Sequence, residues 1–256
     1  MRRVIAFPCA GETLFGSLDE AQGEAGLLIV SGGSEIRCGA HRGMAMLAQR
    51  LAAVGIPVFR FDRRGIGDST GENCGFLSSA PDIAAAAATF AAETGIRRLV
   101  AFGNCDAATA LLMFHQSAGI DALVLANPWV VDRPDDLPPA AAIRARYINR
   151  LRDPAHYARL LRGEIDLGKV ARGIGKLLQR PGGHGALAAQ IRVALNTAPP
   201  VTLILAERDA TAIAFATALR GAPALAAAHI IDTDSHSFAR EGDQAALETI
   251  VCAALG

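Results

Sequence analysis

Lysine is almost absent from this chain: two residues, Lys169 and Lys176, stand against 23 arginines. Alongside the many alanines this is a compositional bias and carries no mechanism. An excess of either charge is lacking too, since 25 Lys and Arg face 25 Asp and Glu. Without a basic surplus to neutralise phosphates, nucleic-acid binding loses its usual electrostatic basis. Aromatics are scarce at 5%, but 51% of residues are hydrophobic and 20% charged, which excludes an intrinsically disordered chain. No uninterrupted apolar run reaches the roughly eighteen residues of a membrane span, so no transmembrane helix is expected. The apolar start at Val4 and Ile5 is cut by Pro8 and Gly11, too early for a signal-peptide core. The five cysteines (Cys9, Cys38, Cys74, Cys105 and Cys252) include no CxxC pair, disulfide frame or Cys/His cluster of metal spacing. Free thiols in a reducing cytoplasm, with no metal and no cofactor, are the expectation.

What is present is a regular alternation. Arg3–Phe7 and Thr13–Asp19 read as an antiparallel pair of strands. Leu27–Ser31, Val58–Phe61, Arg98–Phe102, Ala122–Ala126, Val201–Leu205 and His229–Ile231 are short apolar runs of the kind that strands buried on both faces require. Stretches of helical length separate many of them. Gly39–Val54 places Met44, Leu47, Leu51 and Val54 at helical steps, and Pro81–Thr94 carries Pro81 in its first turn. Cys105–Ser117, Ala212–Leu219 and Arg240–Ala254 are the other predicted helices. The pattern predicts an α/β fold with a mostly parallel eight-stranded sheet and helices on both faces. Residues 129–197 depart from it, with Arg-rich amphipathic segments at Ala140–Leu151, Pro154–Leu161 and Leu167–Leu178. The expected organisation is a core of residues 1–128 and 198–256 with a helical cap inserted at 129–197.

The sharpest local signal is Leu99-Val100-Ala101-Phe102-Gly103-Asn104-Cys105-Asp106-Ala107-Ala108, a strand, a tight turn and a helix with Cys105 at the turn. It matches the nucleophile elbow G-x-S-x-G with Cys for Ser and Ala107 for the last Gly. Residues two before and two after such a nucleophile must be small, and Gly103 and Ala107 are. The helix that follows offers free N–H groups and a positive dipole end to a charge on the sulfur, and the Asp106 N–H can bond a developing oxyanion. A small buried cysteine in a strand–helix turn is the plain alternative. Further along, Val201–Leu205 runs into Asp209, and His229–Ile231 runs into a loop holding His236. Nucleophile, acid and base thus occur in the order of the α/β-hydrolase arrangement. An acid after the sixth strand, at Asp132, Asp135 or Asp136, is a second possibility. Ser31-Gly32-Gly33-Ser34 is placed to supply a second oxyanion donor, from Gly33 or Ser34. Arg37, His41 and Arg42 can face the pocket mouth and meet an acidic substrate, or be solvated. Trp129 can line the pocket or pack in the core, and the Arg-rich cap can meet an anionic group or present a solvated face.

Phe61-Asp62-Arg63-Arg64-Gly65-Ile66-Gly67-Asp68-Ser69-Thr70-Gly71 closely resembles the D-x-R-G-x-G-x-S-x-G loop of α/β-hydrolases, which is structural in that family. With the elbow and its two partners, the resemblance covers essentially the whole chain. Within the superfamily the chain resembles the exosortase A system-associated hydrolase 1 group. Gly32-Gly33-Ser34 through Gly39-Ala40-His41-Arg42, the Cys105-Asp106 elbow and Ala126-Asn127-Pro128-Trp129 carry the likeness. Those proteins occur beside bacterial export and exopolysaccharide genes. Dienelactone hydrolase is a more distant relative with a cysteine in its elbow. The resemblance leaves the substrate open, but the residues themselves predict an ester or thioester hydrolase with a Cys105-His236-Asp209 triad and an acyl-cysteine intermediate. The same intermediate would serve an acyltransferase. A reading of another class is a non-catalytic accessory module of an exosortase or exopolysaccharide system. A small-molecule or acyl-carrier-linked substrate is the expected partner.

Overall fold

The computed structural model describes residues 1–132, 185–240 and 242–256. The chain opens with a hairpin, β1 (Arg2–Cys9) and β2 (Glu12–Asp19), joined by Ala10 and Gly11, both at positive φ. Two such residues form the kind of tight turn whose twist matches that of the flanking strands. β3 (Ala25–Val30), β4 (Val58–Phe61), β5 (Arg98–Asn104), β6 (Ala122–Ala126), β7 (Val201–Ala206) and β8 (His229–Ile231) complete an eight-stranded sheet. Its order is β1-β2-β4-β3-β5-β6-β7-β8; β2 runs antiparallel to both neighbours and every other pairing is parallel. This is the predicted fold class.

Successive residues of the central strands enter opposite layers, as the period of two requires. Leu27 and Ile29 pack with Leu47 and Leu51 of α1 (Gly43–Ala53) and with Leu247 and Val251 of α7 (Asp243–Leu255). Leu28 and Val30 belong to the opposite layer, under α2 (Ala80–Thr94), α3 (Asp106–Phe114), α4 (Ala186–Thr197) and α5 (Ala210–Ala218). A short α6 (Pro223–Ala226) precedes β8. α2 carries Pro81 in its first turn and stops at Gly95, whose left-handed conformation a glycine adopts without strain.

Several boundaries differ from the sequence reading. The helix expected from Gly39 begins as a 3-10 turn, and α1 proper starts only at Gly43, because His41 and Arg42 are both left-handed. The helix expected to reach Ser117 leaves the α form at Phe114 and tightens into a 3-10 turn over His115–Ala118. Within the span 129–197, Val130, Leu187 and Ile191 are buried in the α2–α3 layer. The Arg-rich segments between them, with Asp135 and Asp136, lie outside the described residues.

Candidate active site

The carboxyl ends of β5, β7 and β8 bring the three predicted groups together. Cys105 sits between β5 and α3 with φ 61° and ψ −128°. Such a conformation costs roughly 1–3 kcal/mol for a residue with a side chain and must be held by its surroundings. The Cys105 N–H donates to the Ala126 carbonyl at 3.0 Å, and the Cys105 carbonyl accepts from the Trp129 N–H at 3.2 Å. Gly103 is required sterically, because a Cβ there would lie 2.8 Å from backbone atoms of Ala107 and Ala108. Asp106 is the first residue of α3, so its N–H has no partner within the helix and is available beside the sulfur.

Asp209 follows β7 and caps α5. Its Oδ2 accepts the N–H groups of Thr211 and Ala212, both at 3.0 Å, and its Oδ1 lies 3.1 Å from His236 Nδ1. Burial works to raise the Asp209 pKa, but the bond and charge of His236 and the two capping N–H groups outweigh it, and the net shift is downward. His236 carries the reciprocal shift. Burial works against its protonation, but the carboxylate of Asp209 and the charged form of the neighbouring Cys105 sulfur push its pKa up to about 10. The imidazole thus stands between the acid and the thiol, and its side chain keeps 39% exposure on the solvent side.

Two residues that sequence reasoning left without a role fix the His236 loop. Asn104 Nδ2 donates to the His236 carbonyl at 3.0 Å, and Asn127 Nδ2 donates to the same oxygen at 3.2 Å. Asn127 also donates to Asn104 Oδ1 at 3.2 Å, and its own Oδ1 accepts the Ala206 N–H at 2.8 Å. It is fully buried at φ 42°. The ends of β5, β6 and β7 are thereby tied to the backbone of the base. Asn127→Ala leaves a buried N–H unpaired, and urea denaturation is expected to show a loss of about 1–3 kcal/mol.

The oxyanion side holds a surprise. The Gly33 N–H, expected to be a free donor, is bonded at 2.7 Å to Asp106 Oδ1. Gly32 permits this approach, since a Cβ there would meet the Asn104 carbonyl at 2.6 Å and the Asp106 carboxylate at 2.9 Å. Arg63 lies behind, its Nη2 on the Gly33 carbonyl at 2.6 Å and 3.8 Å from Asp106 Oδ2. Asp106 thus contributes a main-chain donor and, through its side chain, occupies the second one. Ser34 is exposed at the turn that the Glu35 N–H closes on the Gly32 carbonyl.

The remaining candidates lie elsewhere. Arg37 donates its N–H to Asp62 Oδ1 at 2.5 Å, and its guanidinium pairs with Asp62 and, at 2.9 Å, with Asp68. Arg37 and Arg42 line a separate cavity with none of the triad in its wall, and His41 is an exposed residue of the turn before α1. Trp129 packs against the core and supports the elbow: its carbonyl accepts the Thr109 hydroxyl at 2.7 Å, and its indole donates to the Val131 carbonyl at 2.8 Å. Asp132, the described member of the alternative acids, accepts the Leu187 N–H at 2.9 Å at the start of α4. The Asp62–Gly71 loop is structural, as its motif implies: Ser69 Oγ donates to the Asp62 carbonyl at 2.7 Å, and Arg64 pairs with Asp82 at 2.5 Å.

A parallel sheet with an elbow after its fifth strand, an acid after the seventh and a histidine after the eighth defines an α/β-hydrolase. The family model described as serine aminopeptidase, S33, matches residues 24–172, more than half of the chain, and the protein belongs to that family. The family's description names a serine, whereas this elbow holds Cys105. Among solved structures, the chain is similar to the α/β hydrolase GrgF from a Penicillium species (TM-score 0.66, 14% identity, covering 100% of this chain and 98% of that one). An esterase from Pyrococcus furiosus gives TM-score 0.63 at 14% identity, covering 100% of this chain and 92% of that one. A proline iminopeptidase-related protein from Thermus thermophilus gives 0.56 at 17% identity, covering 100% and 99%. No curated protein matches the chain. Among the described residues, no helix is long and apolar enough to cross a membrane.

Proposed function

We propose that this hydrolase cleaves esters or thioesters through an acyl-Cys105 intermediate. The observation that carries the reading is the position of His236, with Nδ1 3.1 Å from Asp209 Oδ1 and the Cys105 sulfur near enough to help raise its pKa. With the thiol proton resting on His236, the sulfur attacks the acyl carbonyl. The tetrahedral intermediate collapses as the imidazolium hands that proton to the departing alcohol or thiol. Water, deprotonated by His236, then releases the acid and restores the thiol. Asp209 holds the imidazole with Nδ1–H toward its carboxylate throughout. A cysteine both attacks and leaves well, which supports thioesters as substrates. The likeness to the exosortase-associated group supports a place beside bacterial export and exopolysaccharide machinery, and the free cysteines support a reducing compartment.

The oxyanion draws one donor from Asp106 N–H and a second from Gly33 N–H, the latter only after the Asp106 carboxylate has left it. One such donor is worth about two to three orders of magnitude in rate. Asp106→Ala removes the occupant and keeps the Asp106-position N–H. On uncharged short-chain esters and thioesters, stopped-flow acylation is expected to quicken by at least about tenfold. A slower acylation would mean that the carboxylate assists the reaction. Turnover of a panel of acyl esters and thioesters tests the reading itself; no substrate turned over, or turnover indifferent to Cys105, would overturn it.

A further inference from the structure

One stretch of the α1-side face of the sheet is ionic where an apolar surface is the norm. On β4, Val58 packs in the α1 layer, yet Arg60, two residues on and on the same face, is only 2% exposed. Its Nη2 donates to Asp19 Oδ2 at 3.1 Å and its Nη1 to the Arg37 carbonyl at 2.8 Å, while Nε is buried with no partner. Asp19 is shared with Arg2, whose Nε lies 2.8 Å from Oδ1. These side chains border a cavity of about 280 Å³ lined by Arg2, Arg37, Arg42 and Arg60 with Asp62 and Asp68. Four guanidinium groups therefore meet three carboxylates, counting Asp19, and the balance is positive. Among the described residues Arg42 has no ion-pair partner. It enters the wall from a left-handed backbone (φ 60°) that a non-glycine residue adopts only under constraint.

We propose that this cavity binds a phosphate-class oxyanion, held by the Arg42 and Arg37 guanidinium groups beside the buried charge of Arg60. Planar guanidinium forks suit tetrahedral oxyanions, which accept from several donors at once. Burial also lowers the Arg60 pKa against the support of Asp19, and an anion adds a second counter-charge. The cavity is lined by none of the triad residues, but it shares a loop with the oxyanion donor: Gly33 lies four residues before Arg37. The anion therefore reaches the catalytic centre either as part of the substrate or as a free ligand acting on this loop.

Titration calorimetry and thermal unfolding with inorganic phosphate, at ionic strength held constant with chloride, test the site without reference to activity. Saturable binding and a rise in Tm are expected for the wild-type chain. In Arg42→Glu the affinity should fall by about tenfold or more, with the phosphate-free Tm unchanged. Arg42→Gln is the second variant should the first prove poorly folded, and it should weaken binding in the same direction. No saturable binding to the wild-type chain, or undiminished binding to both folded variants, overturns the proposal. A separate arm, resting on the acyl-hydrolase reading, compares thioesters with and without a phosphate group. A KM increase in Arg42→Glu confined to the phosphate-bearing thioester puts the anion on the substrate. An equal response of both thioesters to added phosphate makes it a free ligand.

Discussion

Cys105→Ala is expected to lower turnover of acyl thioesters by about four orders of magnitude or more, the usual consequence of removing a triad nucleophile. The protein should remain folded, because what holds the elbow is main-chain bonding from Ala126 and Trp129 and the small residue Gly103, none of which the substitution touches. Steady-state kinetics on the wild type and the variant measure the loss, and circular dichroism confirms the fold. The other cysteines give a built-in control. Burial foremost, with the hydrogen bond and charge of Asp82, pushes the Cys9 thiol up to about 11. Burial foremost, with the charge of Glu248, raises that of Cys252. Cys38 lies in the wall of the arginine cavity and Cys74 is exposed. Cys38→Ser and Cys74→Ser should therefore retain hydrolysis.

Asp209→Asn is expected to cost a comparable factor, about four orders of magnitude in kcat, by allowing the wrong tautomer of His236. The substitution separates chemistry from folding. Asn caps a helix about as well as Asp, so the bonds to Thr211 and Ala212 persist while the charge facing His236 is lost. The pH dependence of stability gives a second readout. The raised His236 pKa of about 10 means that its contribution is complete below the ordinary histidine value of about 6.5 and is lost as pH rises toward 10. The lowered Asp209 pKa contributes stability above the ordinary aspartate value of about 3.9, lost as pH falls below it. The wild-type advantage over Asp209→Asn in urea unfolding should therefore be largest at mildly acidic pH, between those two ordinary values, and shrink toward pH 10. A difference independent of pH would contradict the assigned pairing.

The fold was legible because each central strand is a compact apolar run and each turn after β5, β7 and β8 carries a distinct chemical group. Gly103 and Ala107 marked the elbow by size, and the structure gives the steric reason for Gly103. Other features depend on contacts that no local pattern contains. Asp209 is favoured over Asp132 because it ends a clear strand, but only tertiary placement assigns Asp132 to the start of α4 and Asp209 to His236. Asn104 and Asn127 read as ordinary polar residues at strand ends until both are found donating to one carbonyl more than a hundred residues away in sequence. Arg37 was legible as a cation near the site, but its direction was not: Asp62 and Asp68 hold it toward the other cavity. The Asp106 carboxylate lies on the Gly33 N–H because two loops distant in sequence meet there, and a motif spelled in residue types does not record that meeting.

The proposed nucleophile of this hydrolase is Cys105, served by His236 and Asp209. The most direct measurement is rapid-quench mass spectrometry of the protein mixed with an acyl thioester, with the modified peptide sequenced. One acyl group per chain is expected, located on Cys105, formed within the turnover time and absent in His236→Ala quenched at the same time. Turnover without any acyl group on Cys105, or an acyl group that forms equally fast without His236, would contradict it.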